Sequence, residues 1–340
     1  MPRRSAPHRF PTIVTLVFAI AVMFTAALLG QSGTSPSKTN PPAPRTVMSP
    51  MQPGNSPEQS STTFKVDVQL VRLLVTVKNS AGELVGYLDP KEFTVYDDDV
   101  PQQISVFEHN TTQPLSVALM IDSSGSTGKD LHYETTSVSK FLKAFFSEGN
   151  PQDMVAFYSF NWQVTLLSSF TRRQARIEDS MRYLHPDGGT SLYDSVYLAG
   201  RDIRNRDGRH VMVAVTDGGD TTSSKKYADA LESAQRADAV IYPIVVVPTT
   251  NDAGRNTGGE HALETLAAST GGRIFMPSVG DQLDNAFAEI LRDLRSQYLI
   301  GYYPRDLPRD SPRFHKVRVE LKRKDLRVST RTGYYENVSR

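Results

Sequence analysis

The sequence predicts an α/β fold: a doubly wound, mostly parallel sheet, flanked by an all-β sandwich that strands from both ends of the chain build together. Three observations carry this reading. From Leu115 onward, near-continuous apolar runs of strand length alternate with amphipathic helical stretches, the pattern of a parallel sheet covered on both faces. Before that point, and again after Gln297, the apolar period is two, so both flanks read as antiparallel strands. Each flank alone has too few strands for a stable sheet, which predicts one shared sandwich with the α/β unit inserted between its halves.

Length and charge are consistent with such a chain. Its 340 residues allow about two globular domains. The 38 Lys and Arg against 37 Asp and Glu leave a formal charge of +1, so no global field draws the chain to nucleic acid or to an anionic membrane. Cysteine is absent, which excludes thiol nucleophiles, zinc-thiolate sites, iron-sulfur clusters and disulfides.

Residues 1–30 read as an export signal. Arg3, Arg4, His8 and Arg9 form a basic head, and Pro11 to Leu29 carries no charge. The apolar run is longer than a usual signal core and close to the minimum for a bilayer span, so a cleaved signal peptide and a retained single-span anchor both stay open. Either places the remainder outside the cytoplasm: periplasmic, extracellular or membrane-anchored. Residues 31–63, rich in Ser, Thr and Pro, read as an extended disordered tether.

The first half of the sandwich is expected in residues 64–112. Phe64 to Val77 alternates as a strand, and Phe93 to Tyr96 turns through Asp97, Asp98 and Asp99 into Gln102 to Glu108. Three consecutive aspartates suggest calcium, but a single cluster lacks the six or more oxygens such a site needs, and a solvated hairpin turn is the reading adopted. The α/β unit follows over 113–297. Its strands are expected at Leu115 to Ile121, Met154 to Phe160, His210 to Thr216, Val240 to Val247 and Arg273 to Met276. Helices are expected at Leu131 to Phe146, Arg172 to Leu184, Leu192 to Arg204, Lys225 to Ala237, Ala262 to Ser269 and Asp281 to Gln297. Residues 298–340 return to strands, and the basic run from Arg313 to Arg331, interleaved with Phe314, Val317, Val319 and Leu321, reads as their wet face.

In an open doubly wound sheet the ligand site lies at the carboxyl ends of the strands. There the first buried strand delivers Asp122-Ser123-Ser124-Gly125-Ser126, and a later one delivers Thr216-Asp217-Gly218. Between them, Gly188-Gly189-Thr190 presents a hydroxyl at a helix start. Oxygen donors with few carboxylates suit a hard divalent cation, Mg²⁺ first and Mn²⁺ or Ca²⁺ next.

Asp122-x-Ser124-x-Ser126, Thr190 in its Gly-Gly-Thr, and Asp217 in Thr-Asp-Gly resemble the metal-ion-dependent adhesion site (MIDAS) of von Willebrand factor type A domains. The resemblance spans about Gln113 to Gln297. It implies the Rossmann-like fold of that family, with Ser124, Ser126 and Thr190 contacting the metal and Asp122 and Asp217 binding it directly or through water. The flanks are narrower in kinship: Gly82 to Val85, Lys91 to Asp99, Ile104 to Phe107, Tyr298 to Pro304 and Arg331 to Tyr334 resemble exported acidobacterial proteins of this type.

The expected function is therefore an exported, metal-dependent adhesion-type module that binds an Asp or Glu carboxylate on a partner protein. A metal-dependent extracytoplasmic hydrolase is the alternative from another class, and a structural subunit of an envelope complex is a third. His109, His132, His185, His210, His261 and His315 show no metal-like spacing and read as surface or capping residues. None lies in a motif that would make it the base for a nucleophilic serine, so no catalytic residues are assigned.

Overall fold

The computed structural model describes residues 69–109, 112–246, 256–307 and 313–336. The export segment, the tether and the start of the strand expected at Phe64 lie outside them. Among the described residues no helix is long and apolar enough to cross a membrane.

The N-terminal strands are β1 (Val71–Lys78), β2 (Phe93–Asp97), β3 (Val100–Gln102) and β4 (Ile104–His109). The α/β unit runs β5 (Leu115–Asp122), α1 (Leu131–Glu148), β6 (Met154–Phe160), β7 (Val164–Thr171), α2 (Gln174–Ser180), α3 (Leu192–Ile203), β8 (Arg209–Thr216), α4 (Tyr227–Arg236), β9 (Ala239–Val245), α5 (Thr257–Thr270) and α6 (Asp281–Arg295). The chain then returns through β10 (Tyr298–Tyr302), β11 (Phe314–Leu321), β12 (Arg327–Ser329) and β13 (Gly333–Tyr335).

The central sheet has the order β7-β6-β5-β8-β9, parallel except for β7. Every residue of β5 is buried, and its side chains alternate between the two faces. Val117, Leu119 and Ile121 meet Val138, Phe141 and Phe145 of α1 and Phe287 and Ile290 of α6. Ala118 and Met120 meet Val196 and Ala199 of α3, Ala234 of α4 and Leu266 of α5. Two-sided burial is why these strands read as continuous apolar runs.

Two four-stranded antiparallel sheets, β12-β1-β10-β4 and β13-β11-β2-β3, form the flanking sandwich. β10 is the hinge of the connectivity, because it pairs with β1 on one side and β4 on the other. The two sheets share one core of Leu73, Val75, Val95, Tyr298, Ile300, Tyr302, Val317 and Val319. Lys316, Arg318 and Glu320 alternate outward from β11, as the wet-face reading expects. Arg331 departs from it: its guanidinium is buried, donating to Asp238 of the α/β unit and, at 2.9 Å, to the Arg72 carbonyl.

Several local expectations are corrected. β7 was not foreseen; it is an antiparallel edge strand with register shifts against β6, and these break the alternation that would have revealed it. The strand expected at Arg273 to Met276 reduces to one parallel bridge, Ile244 to Phe275, because Arg273 is turned away to Glu289 and Asp293. The helix expected from Ala262 starts at Thr257, where the Asn256 side chain accepts from the Gly259 amide at 2.9 Å and offsets two poor helix formers, Gly258 and Gly259. Asp97 is not part of a solvated turn: it is fully buried, as are His210 and His315 within a few per cent.

Candidate metal centre

The site is built where three loops meet at the carboxyl edge of the parallel strands. β5, locked between β6 and β8, ends at Asp122, which still registers with Phe160 of β6. Its two carboxylate oxygens are already placed: Oδ1 accepts from the Ser124 amide at 2.8 Å and Oδ2 from the Thr216 hydroxyl at 2.6 Å. Ser124 is buried, Ser126 is exposed, and their hydroxyl oxygens face each other at 3.1 Å.

The second loop is tied to the first through backbone. The Gly125 amide donates to the Gly188 carbonyl at 3.1 Å, and the Asp187 amide to the Ser123 carbonyl at 2.9 Å. Gly188 has φ +62°, and a Cβ there would lie 2.6 Å from the Trp162 ring, so both the turn and the close approach need glycine. Thr190 follows, buried, its amide donating to the Thr221 hydroxyl at 2.7 Å and its carbonyl accepting from the Thr221 and Thr222 amides. The third loop, after β8, carries Asp217 and is strapped to α3 by Asp220, which accepts from the Tyr193 amide at 3.1 Å.

All five residues expected from the sequence thus lie on one loop cluster, and the electrostatics give it a sign. Burial pushes the Asp122 carboxyl up to about 6, with the Asp217 charge adding to the rise and hydrogen bonds from Thr216 and Ser124 opposing it. Glu134, in the first turn of α1, was not expected in the site. It is fully buried, neither of its carboxylate oxygens has a hydrogen-bond partner, and burial followed by repulsion from Asp122, Asp217 and Asp130 lifts it to about 8. The sequence signal was present: Glu134 begins the same helical stripe as Val138, Phe141, Leu142 and Phe145, all buried. A carboxylate on an apolar stripe needs a partner, and here no cationic side chain contributes to its charge state.

The residues present fit a divalent cation. Uncompensated buried carboxylates and closely opposed hydroxyls form an all-oxygen donor set, suited to Mg²⁺, Mn²⁺ or Ca²⁺ rather than to a softer metal. Beside the cluster, Trp162 on the β6–β7 turn is about half exposed and donates to Asp187 at 3.3 Å, giving the rim a fixed aromatic surface.

A family model for the von Willebrand factor type A domain matches residues 116–289. No curated protein matches the chain. Among solved structures, the PilB minor pilin from Streptococcus sanguinis is 13% identical with a TM-score of 0.43; the match covers 54% of this chain and 62% of the pilin, so this chain spans under two thirds of that protein. The conserved hypothetical protein BatB from Bacteroides thetaiotaomicron is 16% identical with a TM-score of 0.43, the match covering 54% of this chain and all of BatB (100%). A von Willebrand factor type A protein from Catenulispora acidiphila is 12% identical with a TM-score of 0.44, over 76% of this chain and 71% of that one.

Proposed function

Because this chain belongs to the von Willebrand factor type A domain family, whose members are typically protein-interaction modules, we propose that it is an exported module that binds a partner protein through a divalent cation. Asp122, Ser124, Ser126, Thr190 and Asp217 would hold the ion, Mg²⁺ first and Mn²⁺ or Ca²⁺ next. The observation that supports this most directly is the group of buried carboxylates, Asp122 and Glu134 with Asp217 beside them, for which none of the described residues supplies a compensating cation. Such an ion supplies an oxygen-seeking centre able to take one outside carboxylate.

The chain's own residues do the positioning. Asp122 is held at both oxygens and Thr190 at both its amide and carbonyl, so the donors are oriented before a ligand arrives and little ordering entropy is left to lose. The Trp162 ring offers apolar area beside the site, where aromatic anchors contribute most to binding. The partner group is read as an Asp or Glu side chain, since a charge-assisted contact to a pre-positioned centre favours an anion.

The test is recovery of a binding protein by the wild-type chain in Mg²⁺, repeated in chelator and with Asp217→Ala and Thr190→Ala. Loss of binding in all three with unchanged circular dichroism is the expected result. Equal recovery in chelator would remove the cation from the binding mechanism.

A further inference from the structure

A second cluster of metal-ligating side chains lies in the β-sandwich, on residues that the adhesion-type site does not use. β2 ends at Asp97 and turns back into β3 through Asp98 and Asp99, whose φ values of 46° and 64° make a tight two-residue hairpin of the kind that favours Asp, Asn and Gly. β11 runs antiparallel beside β2 and brings in His315, and β13 brings Tyr334 opposite it. One donor atom each of Asp97, Asp98 and His315 lies within 4.8 Å of the other two.

The atoms that face one another are those without hydrogen-bond partners. Asp97 Oδ1, Asp98 Oδ2 and His315 Nδ1 are all shielded from solvent and make no hydrogen bond, being left to one another at ion-pair distance, while Asp97 is fully buried and His315 only 4% exposed. His315 Nδ1 stands 2.9 Å from an Asp98 oxygen and 3.4 Å from Asp97 Oδ1. Bonds of about 2.0–2.2 Å from a zinc-like ion to nitrogen and carboxylate oxygen place neighbouring donors roughly 2.8–3.6 Å apart, and both distances fall in that window.

The surroundings hold these donors in place as outer partners hold metal ligands. The other Asp97 oxygen, Oδ2, accepts from the Tyr302 hydroxyl at 2.9 Å and the Tyr334 hydroxyl at 2.8 Å. The Tyr334 ring stacks on His315 at 5.0 Å between centroids, fixing the imidazole plane. Asp98 is fastened to β11 through its Oδ1, which accepts from the Lys316 amide at 2.9 Å. Carboxylates that are themselves hydrogen-bonded and a ring fixed by packing are the usual second layer of a metal site. A protonated imidazole would present a single Nδ1 proton to two carboxylates, leaving one buried oxygen unpaired.

We infer that Asp97, Asp98 and His315 form a second cation site, for a borderline transition metal such as Zn²⁺, that ties the β2–β3 hairpin to β11. The imidazole donor is what separates this metal class from the all-oxygen site at Asp122.

The experiment uses the full chain carrying Asp217→Ala, so that the two sites are read separately, stripped of metal and titrated calorimetrically with Zn²⁺ alone. Binding is expected to persist in that background and to raise the melting temperature. Adding Asp98→Asn should weaken it at least tenfold and abolish the thermal shift. Asparagine tolerates the positive φ and keeps an oxygen for the Lys316 amide, so this variant preserves the hairpin while removing the ligand charge. His315→Gln should behave the same way. Absence of Zn²⁺ binding in the Asp217→Ala chain, or binding that Asp98→Asn leaves unchanged, overturns the inference and makes the cluster a metal-free ion pair.

Discussion

Glu134 is the residue whose energetics depend most on a ligand. Buried, unpartnered and repelled by Asp122 and Asp217, it is held in the folded chain above its ordinary value of 4.5, at about 8. The folded state therefore binds a proton more readily than the unfolded one. Its contribution to stability is fully present below about pH 4.5 and is lost as pH rises through about 8, and Asp122 runs in the same direction between 3.8 and about 6. In chelator at pH 8, Glu134→Gln should accordingly stabilise the protein, by on the order of 1–3 kcal/mol. Denaturant melts at pH 5 and pH 8 measure this; an equal effect at both would mean that folding does not raise the proton affinity of the Glu134 carboxylate. Mg²⁺ should shrink the difference between wild type and variant.

At the scale of elements, the β6–β7 turn and the loop before α3 act as one piece. Trp162 packs on Gly188, and the Ser191 amide donates to the Asn161 carbonyl at 2.6 Å, so a change in either segment reaches Thr190. Gly188→Ala forces a side chain into the Trp162 ring at a positive φ and should weaken partner binding while leaving the distant sandwich intact. Trp162→Ala should cost binding about 1–2 kcal/mol through lost apolar contact, with the metal dependence retained. Calorimetry on a recovered partner separates the two: a Trp162→Ala complex that no longer responds to chelator would contradict the assigned roles.

The described fold, residues 69–336, is held together by the returning C-terminal chain. β10 lies between β1 and β4, and β11 carries both β2 and β13. Gln297, at the joint, reaches Thr76 at 3.3 Å and Tyr242 at 3.5 Å, and Lys78 pairs with Asp293 at 3.1 Å, so sandwich and α/β unit are also pinned to each other. Truncation after Gln297 should unfold β1 to β4, because β1 and β4 lose every pairing partner and β2 keeps only the three-residue β3. Limited proteolysis that leaves a resistant fragment over residues 69–109 would contradict this. Outside the described residues, the basic head before the apolar run predicts an inward N-terminus and an exported remainder. An enzyme active only outside the cytoplasm, fused after Arg340, should be active; activity of a cytoplasm-only reporter at the same junction would reverse the orientation.

What the amino-acid sequence determined by itself is what local chemistry and short-range period can encode. The five residues proposed to hold the ion were legible as one loop cluster because each sits in a three- to five-residue motif at the end of a buried strand or the start of a helix, where the fold class alone fixes the edge of the sheet. The parallel strands were legible because burial on both faces leaves unbroken apolar runs. Tertiary structure decided the rest. β7 is concealed by bulges that no pattern of period two survives. Glu134 belongs to no motif, and only the packing of α1 brings it close to Asp122 and Asp217. Asp97, His315, Tyr302 and Tyr334 meet from both ends of the chain, with Tyr334 lying 237 residues from Asp97, and their meaning resides entirely in that proximity. A lone aspartate or histidine has the same chemistry in water wherever it stands. Only burial, which removes the solvent and leaves its lone pairs to the groups packed around it, converts that chemistry into a site.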